Sequence, residues 1–380
     1  FGQDSSFAGV KTAQGNQDDN DIGDFFYEPP SGFLALCTKN FPEPAVIPSE
    51  HFNTVLYTGD GSAQDITTVG FLPDFTWIKN RDATDFHQAF DSLRGVTQAL
   101  LISESTSEAA NDDTLTHFLS NGFTTGDDDV TNTNGEAYVA WNWKAGGNAA
   151  AVSSNTEGSI NTTDTSANVD AGFSISTYTG TGSAATIGHG LSKVPEMYII
   201  KQRNLAGSWW TFHKDIGATL SLRLDSTAQA LDDATIFNDT APTADVLSIG
   251  TYSDLNRNNG TFLCYAFHSV DGYSKVGSYT GNGNADGTFV YTGFKPMMVI
   301  SKYIGAENWN IIDTKRSTSN VMEDLLKPDT TGAEIDTQID IDFLSNGFKP
   351  RINSGFLNGN GHTIIYIAFA ETPFKYSNAR

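Results

Sequence analysis

Tyr57-Thr58-Gly59-Asp60-Gly61, Tyr178-Thr179-Gly180-Thr181-Gly182 and Tyr279-Thr280-Gly281-Asn282-Gly283 are three versions of one phrase. They recur at intervals of roughly one hundred residues, too long for a solenoid turn and right for a small domain. Downstream of each lies a second shared stretch, ending at Lys79, Lys201 and Lys302. Aligned on the lysine, Pro73, Pro195 and Pro296 coincide, and Phe75/Met197/Met298 and Trp77/Ile199/Ile300 fall two apart, all apolar. The intervening positions (Thr76/Tyr198/Val299 and Ile78/Ile200/Ser301) are mixed. A period of two with one dry face reads as a sandwich strand, with the proline at its entrance.

Further features repeat outward from this pair. An aromatic cluster follows at Phe86–Phe90, Trp209–Phe212 and Trp309–Ile312. Phe118-Leu119-Ser120-Asn121-Gly122-Phe123 recurs identically as Phe343-Leu344-Ser345-Asn346-Gly347-Phe348. Asn-Gly between apolar residues predicts a hairpin, because both turn positions tolerate positive φ. Aromatic strands close the units at Tyr138–Trp143, Leu263–Phe267 and Ile364–Phe369. The expected fold is all-β: tandem antiparallel β-sandwich modules of jelly-roll or lectin-like type, at 51–147, 172–271 and 272–380. Residues 148–171, rich in Gly, Ser, Thr and Asn, read as a flexible linker. Val270–Tyr273 joins modules two and three so tightly that they are expected to pack as a pair. Short helical turns are expected only near Thr114–Leu119 and Asn320–Leu326.

Composition agrees. The 36 glycines and 25 phenylalanines suit short strands and tight turns, and two cysteines are too few for a disulfide framework. A net charge of −23 argues against binding nucleic acid through a general electrostatic field. No apolar run approaches a membrane-spanning length, so no membrane insertion is expected. The chain opens on Phe1, which reads as a processed product or a fragment.

Gly172-Phe173-Ser174-Ile175 leading into Tyr178–Gly182 and Gly188-His189-Gly190-Leu191, together with the ending Ala368–Arg380, resembles repeat modules of predicted virion and tail-fibre proteins of marine and other environmental bacteriophages. Residues 1–50 resemble the closing strands of a SPRY domain, through Tyr27-Glu28-Pro29-Pro30-Ser31-Gly32-Phe33 and Asn40-Phe41-Pro42. Strands are expected there at Phe25–Tyr27 and Phe33–Cys37. The resemblance implies a non-enzymatic structural protein at the virion surface that spaces or presents host-recognition surfaces. Its expected partners are other virion proteins and a host surface glycan or receptor. By analogy with fibres it forms a homotrimer. The rival readings are a secreted carbohydrate-active enzyme with accessory binding modules, and a bacterial surface adhesin.

The residues themselves offer few sites. Trp141 and Trp143 share one strand face, and Trp209 and Trp210 are adjacent, so one of those two must point away from the core. The four are candidates for stacking on sugar rings, or for packing between modules or subunits. Asp91/Arg94 recurs as Asp313/Arg316, while module two has His213 and Ile216 there. Turn-stabilising ion pairs are the favoured reading. Asp127, Asp128 and Asp129 could supply oxygens to Ca²⁺, without EF-hand spacing. No Gly-x-Ser-x-Gly elbow, His-Glu-x-x-His pattern or singled-out carboxylate pair marks a catalytic centre, and no cofactor is expected.

Overall fold

The computed structural model describes residues 4–35, 37, 40, 46–147 and 153–371, in two compact units. Residues Val46–Thr372 make one of them and hold all three modules. The first module contributes β1 (Phe52–Thr58), β2 (Gln64–Ile66), β3 (Phe75–Asn80), β4 (Gln88–Asp91), β5 (Gly95–Leu101), β6 (Ala109–Ala110), β7 (Leu115–Leu119), β8 (Gly122–Thr125), α1 (Asp129–Asn132) and β9 (Ala137–Trp143). The second has β10 (Asp164–Asn168), β11 (Phe173–Thr179), β12 (Ala185–Gly188), β13 (Met197–Gln202), β14 (Trp210–His213), β15 (Leu220–Arg223) and β16 (Leu231–Asp232). It closes with α2 (Ala234–Phe237), β17 (Val246–Ile249), α3 (Ser253–Asn256) and β18 (Thr261–Phe267). The third has β19 (Ser274–Thr280), β20 (Val290–Tyr291), β21 (Pro296–Tyr303), β22 (Trp309–Asp313), β23 (Ile341–Leu344), β24 (Gly347–Pro350), α4 (Gly355–Asn358) and β25 (Thr363–Ala370).

One antiparallel order is built three times: β1-β9-β3-β4, β11-β18-β13-β14 and β19-β25-β21-β22. A smaller sheet faces each (β2-β8-β7, β12-β17 and β20-β24-β23), enclosing a private core. The proline-led strands β3 and β13 are buried along their whole length, and β21 is buried up to its last residue, Tyr303. The second face, expected to be mixed and wet, is therefore also dry. Ile78, Tyr198, Ile200 and Val299 fill the private cores, while Phe75, Trp77, Met197, Ile199, Met298 and Ile300 meet in a fourth core shared by all three modules. The modules thus close a ring around a common apolar centre, rather than two pairing and one standing apart.

The Tyr-Thr-Gly phrase has one job in each copy. The tyrosine hydroxyl donates to a carbonyl of the short helix ahead of the closing strand: Tyr57 to Thr131 (2.7 Å), Tyr178 to Leu255 (2.6 Å) and Tyr279 to Leu357 (2.6 Å). A Cβ on Gly59, Gly180 or Gly281 would collide with the carbonyl oxygen of Thr133, Arg257 or Gly359. Each helix ends in a fully buried asparagine (Asn132, Asn256, Asn358) whose Oδ1 accepts from the residue after that glycine. The motif is a lock between two loops.

Several expectations need correction. Leu115–Leu119 is a strand, not a helical turn: it pairs with β8, and a bulge between Leu115 and His117 lets Leu115 and Phe118 both cover the private core. The repeated Phe-Leu-Ser-Asn-Gly-Phe does form hairpins, but Ser120-Asn121 is the turn and no residue in it has positive φ. Gly122 and Gly347 are needed because a Cβ there would strike the carbonyl oxygens of Ile66 and Val290. In the expected linker, Asp164–Asn168 is an edge strand paired with β11; Thr165 and Ser166 are buried, and the Thr165 hydroxyl shares a hydrogen bond with Ser176 of β11. In the other unit, residues 4–35 are turns with one bridge, Asn16 to Phe25, so no strands form at Phe25–Tyr27 or Phe33–Ala35. Leu36, Phe41–Ala45 and Phe374–Arg380 lie outside the described residues.

Candidate functional site

The faces of the three large sheets meet in the shared core, and each module offers a β-hairpin corner to its neighbour. Strand register makes the corners equivalent: Asp91 pairs with Phe75, His213 with Met197 and Asp313 with Met298. The facing positions are also equivalent, since Trp141, Tyr265 and Ile367 pair with Trp77, Ile199 and Ile300.

At the joint between modules one and two, Tyr265 donates its hydroxyl to Asp91 Oδ2 at 2.8 Å. Arg94 Nε donates to the same oxygen at 2.5 Å, and both side chains are completely buried. Arg94 goes on to Glu108 (3.1 Å), which holds Arg203 of module two (2.9 Å). At the joint between modules three and one, Trp141 Nε1 donates to Asp313 Oδ2 at 3.1 Å. Asp313 holds Arg316 at 2.6 Å, Arg316 holds Glu334 at 2.9 Å, and Glu334 holds Arg81 of module one. The two chains of charge are copies of each other.

The third joint carries none of these groups. His213 stands for the aspartate, Ile216 for the arginine and Ala230 for the glutamate; across from them are Ile367 and Ile304. The backbone contact is kept at all three joints: Glu108 N to Arg203 O, Ala230 N to Ile304 O, and Glu334 N to Arg81 O, at 2.7, 2.7 and 2.8 Å. Only the side chains change. Ile367 cannot donate a hydrogen bond, so an aspartate opposite it would be a buried unpaired charge. His213 instead sets Nε2 3.3 Å from the carbonyl oxygen of Tyr366.

Electrostatics follow the same division. Burial opposes the charge on Arg94, but Asp91, Tyr265 and Glu108 outweigh it and hold the guanidinium protonated. Burial raises the Glu108 carboxyl, and Arg203 and Arg94 more than reverse this. Burial pushes His213 down to about 4, against the pull of the Tyr366 carbonyl and Asp215, so the imidazole is neutral at pH 7.

Two further sets of equivalent positions, one aromatic and one lysine, take on roles that the sequence did not show. Trp209 Nε1 donates to Leu101 O of module one at 2.8 Å, and Trp309 Nε1 to Arg223 O of module two at 2.9 Å. The third place belongs to His87. Its Nδ1 accepts from Trp77 at 2.9 Å, leaving Nε2 on the side of the Lys327 backbone, where it closes no hydrogen bond of good geometry. Lys79, Lys201 and Lys302 are fully buried, each Nζ ringed by loop carbonyls; those of Lys201 include Ser105 and Thr106 of module one. Burial lowers each ammonium to about 8. The recurring lysine was visible as an alignment point, and a charged residue on the dry face of a strand was the signal that it caps loops.

The four tryptophans read as possible sugar platforms are 0–2% exposed. Trp141, Trp143 and Trp209 lie in the shared core and Trp210 in the private core of module two, so packing between and within modules is their place. The Asp-Arg pairs, expected to stabilise turns, are fully buried and sit at the joints. Asp128 caps α1, accepting from Val130 N (2.9 Å) and Asn111 Nδ2 (2.7 Å). Among the described residues no cluster of three His, Cys, Asp or Glu could hold a metal ion.

No curated protein matches the chain. A family model described as a domain of unknown function (DUF7483) matches residues 47–373, nearly the same span as the three-module unit Val46–Thr372. The repeat is thus a subdivision of the family's domain, and the chain belongs to the DUF7483 family.

Proposed function

We propose that the protein is a non-enzymatic structural component of a virion surface or tail fibre, a rigid body that spaces or presents host-recognition surfaces. The observation that carries this reading is the use of the repeated motifs: tyrosine-glycine locks, buried asparagines and caged lysines brace each module, while the joint aromatics and chains of charge hold the three modules in one fixed arrangement. Such a body keeps attached surfaces at constant separation. The net charge of −23 keeps it soluble beside other acidic particles. The likeness of its modules to those of bacteriophage tail-fibre proteins supplies the setting. On a particle, several copies of a weak contact gain strength through effective concentration.

Adsorption of phage to host cells, with and without the purified chain as competitor, tests the reading, alongside mass photometry of its assembly state. Expected are self-assembly or association with virion proteins, and reduced adsorption. A chain that neither assembles nor competes, yet releases sugars from a polysaccharide panel, contradicts it.

A further inference from the structure

The shared core encloses a cavity of about 30 Å³ whose wall takes side chains from all three modules. Two sets of equivalent positions stand on it in full: Trp77, Ile199 and Ile300, and Trp143, Phe267 and Phe369. The second set is equivalent by register, pairing with Phe75, Met197 and Met298. Its rings meet edge to face around Phe369, Trp143 at 5.6 Å and Phe267 at 6.1 Å. The cavity therefore sits where the three equivalent sheets converge, and no module closes it alone. Its room comes from unequal side chains at equivalent places. Module one has Trp77 and Trp141 where module three has Ile300 and Ile367, and both isoleucines are on the wall.

Size and lining together define what the cavity can hold. No polar atom reaches the wall. The Tyr265 hydroxyl is turned to Asp91, the Trp77 indole N–H to His87 and the Trp209 indole N–H to Leu101. A buried water needs about two to four hydrogen-bonding partners, and a water here would find none. A charged or hydrogen-bonding ligand is disfavoured for the same reason. At roughly 10–15 Å³ for one water-sized sphere, the cavity has room for about two. Aromatic and aliphatic side chains around it offer dispersion attraction to a small polarizable guest.

We propose that this cavity is a binding site for one small apolar molecule, of the size of a xenon atom or dioxygen. The occupant touches all three modules at once, so it binds the assembled body and not a separated module. By mass action it then stabilises the three-module arrangement. The inference does not depend on the virion reading.

The probe is xenon gas, dissolved in a solution of the full chain and followed by xenon nuclear magnetic resonance. A saturable shift of the resonance is expected, with a higher melting temperature under xenon than under the same pressure of helium. Ile300→Phe, which extends a side chain into the cavity, is expected to weaken xenon binding at least about tenfold and to remove the difference between the gases. Ile300→Ala widens the cavity and is expected to bind benzene, which the unaltered chain excludes; this arm stands even where Ile300→Phe fails to fold. No saturable shift, a shift indifferent to Ile300→Phe in a folded chain, or no benzene uptake by folded Ile300→Ala overturns the proposal. So does an ordered water in the cavity in a high-resolution crystal structure.

Discussion

Two of the three joints are wired with buried charge and one is apolar, although the backbone crosses all three in the same way. Asp91-Arg94-Glu108 meets Tyr265 and Arg203, and Asp313-Arg316-Glu334 meets Trp141 and Arg81. At the remaining joint His213, Ile216 and Ala230 meet Ile367 and Ile304. The replacements come as a set because a buried charge without its partners costs more than having no charge at all. The charged set therefore orients the corners, and the fold needs it only as a complete set.

Breaking the set is expected to give the largest effect. Arg94→Ala or Arg316→Ala leaves a buried aspartate unpaired and is expected to cost about 3–5 kcal/mol in denaturant unfolding. Converting the whole first joint to the third one's residues (Asp91→His, Arg94→Ile, Glu108→Ala, Arg203→Ile, Tyr265→Ile) is expected to cost less than Arg94→Ala alone. A conversion that costs more would mean the charges stabilise the joint outright.

Acid is expected to separate the joints next. His213 titrates at about 4 in the fold, against 6.5 for a free side chain. Between those values the unfolded chain takes up a proton that the folded chain refuses, so stability is full above about 6.5 and declines as pH falls. His87 is also lowered by burial and acts in the same direction. From pH 7 to 5 the loss through His213 is expected to be about 2 kcal/mol. His213→Gln should flatten the profile by that share, as read from urea midpoints at the two pH values. An unchanged slope would show that His213 is not what acid disturbs.

Smaller effects distinguish joints from modules. Tyr265→Phe removes a hydrogen bond to a buried carboxylate and is expected to cost about 1.5 kcal/mol; Tyr279→Phe removes one to a carbonyl inside module three and about 1 kcal/mol. Thermal denaturation of both variants ranks them. The reverse order would place the tighter constraint within the module.

Much of the fold was legible because each module repeats its local rules. The proline-led strands, the hairpins and the all-β class follow from period two and turn residues. What the sequence hid was the second face of those strands. Trp141, Trp209 and Tyr265 look like exposed or core aromatics equally well until the neighbouring module is in place. The absence of an aspartate and arginine in module two was visible, but its cause is Ile367, which lies far along the chain. Pairings across such distances leave no periodicity in either segment. Asp164–Asn168 was hidden for a different reason: a strand whose buried side chains are Thr165 and Ser166, satisfied by neighbouring hydroxyls and backbone, has the composition of a linker.

The central claim is that the three modules are one cooperative body held by a shared core. Five of the six tryptophans (Trp77, Trp141, Trp143, Trp209 and Trp309) lie in that core, whereas the strands are spread over all three modules. Guanidinium unfolding followed in parallel by tryptophan fluorescence and far-ultraviolet circular dichroism reads the centre and the sheets separately. The account predicts a single transition with coincident midpoints. Loss of the tryptophan signal at lower denaturant, with the β signal intact, would mean that the modules separate while still folded, and would contradict it.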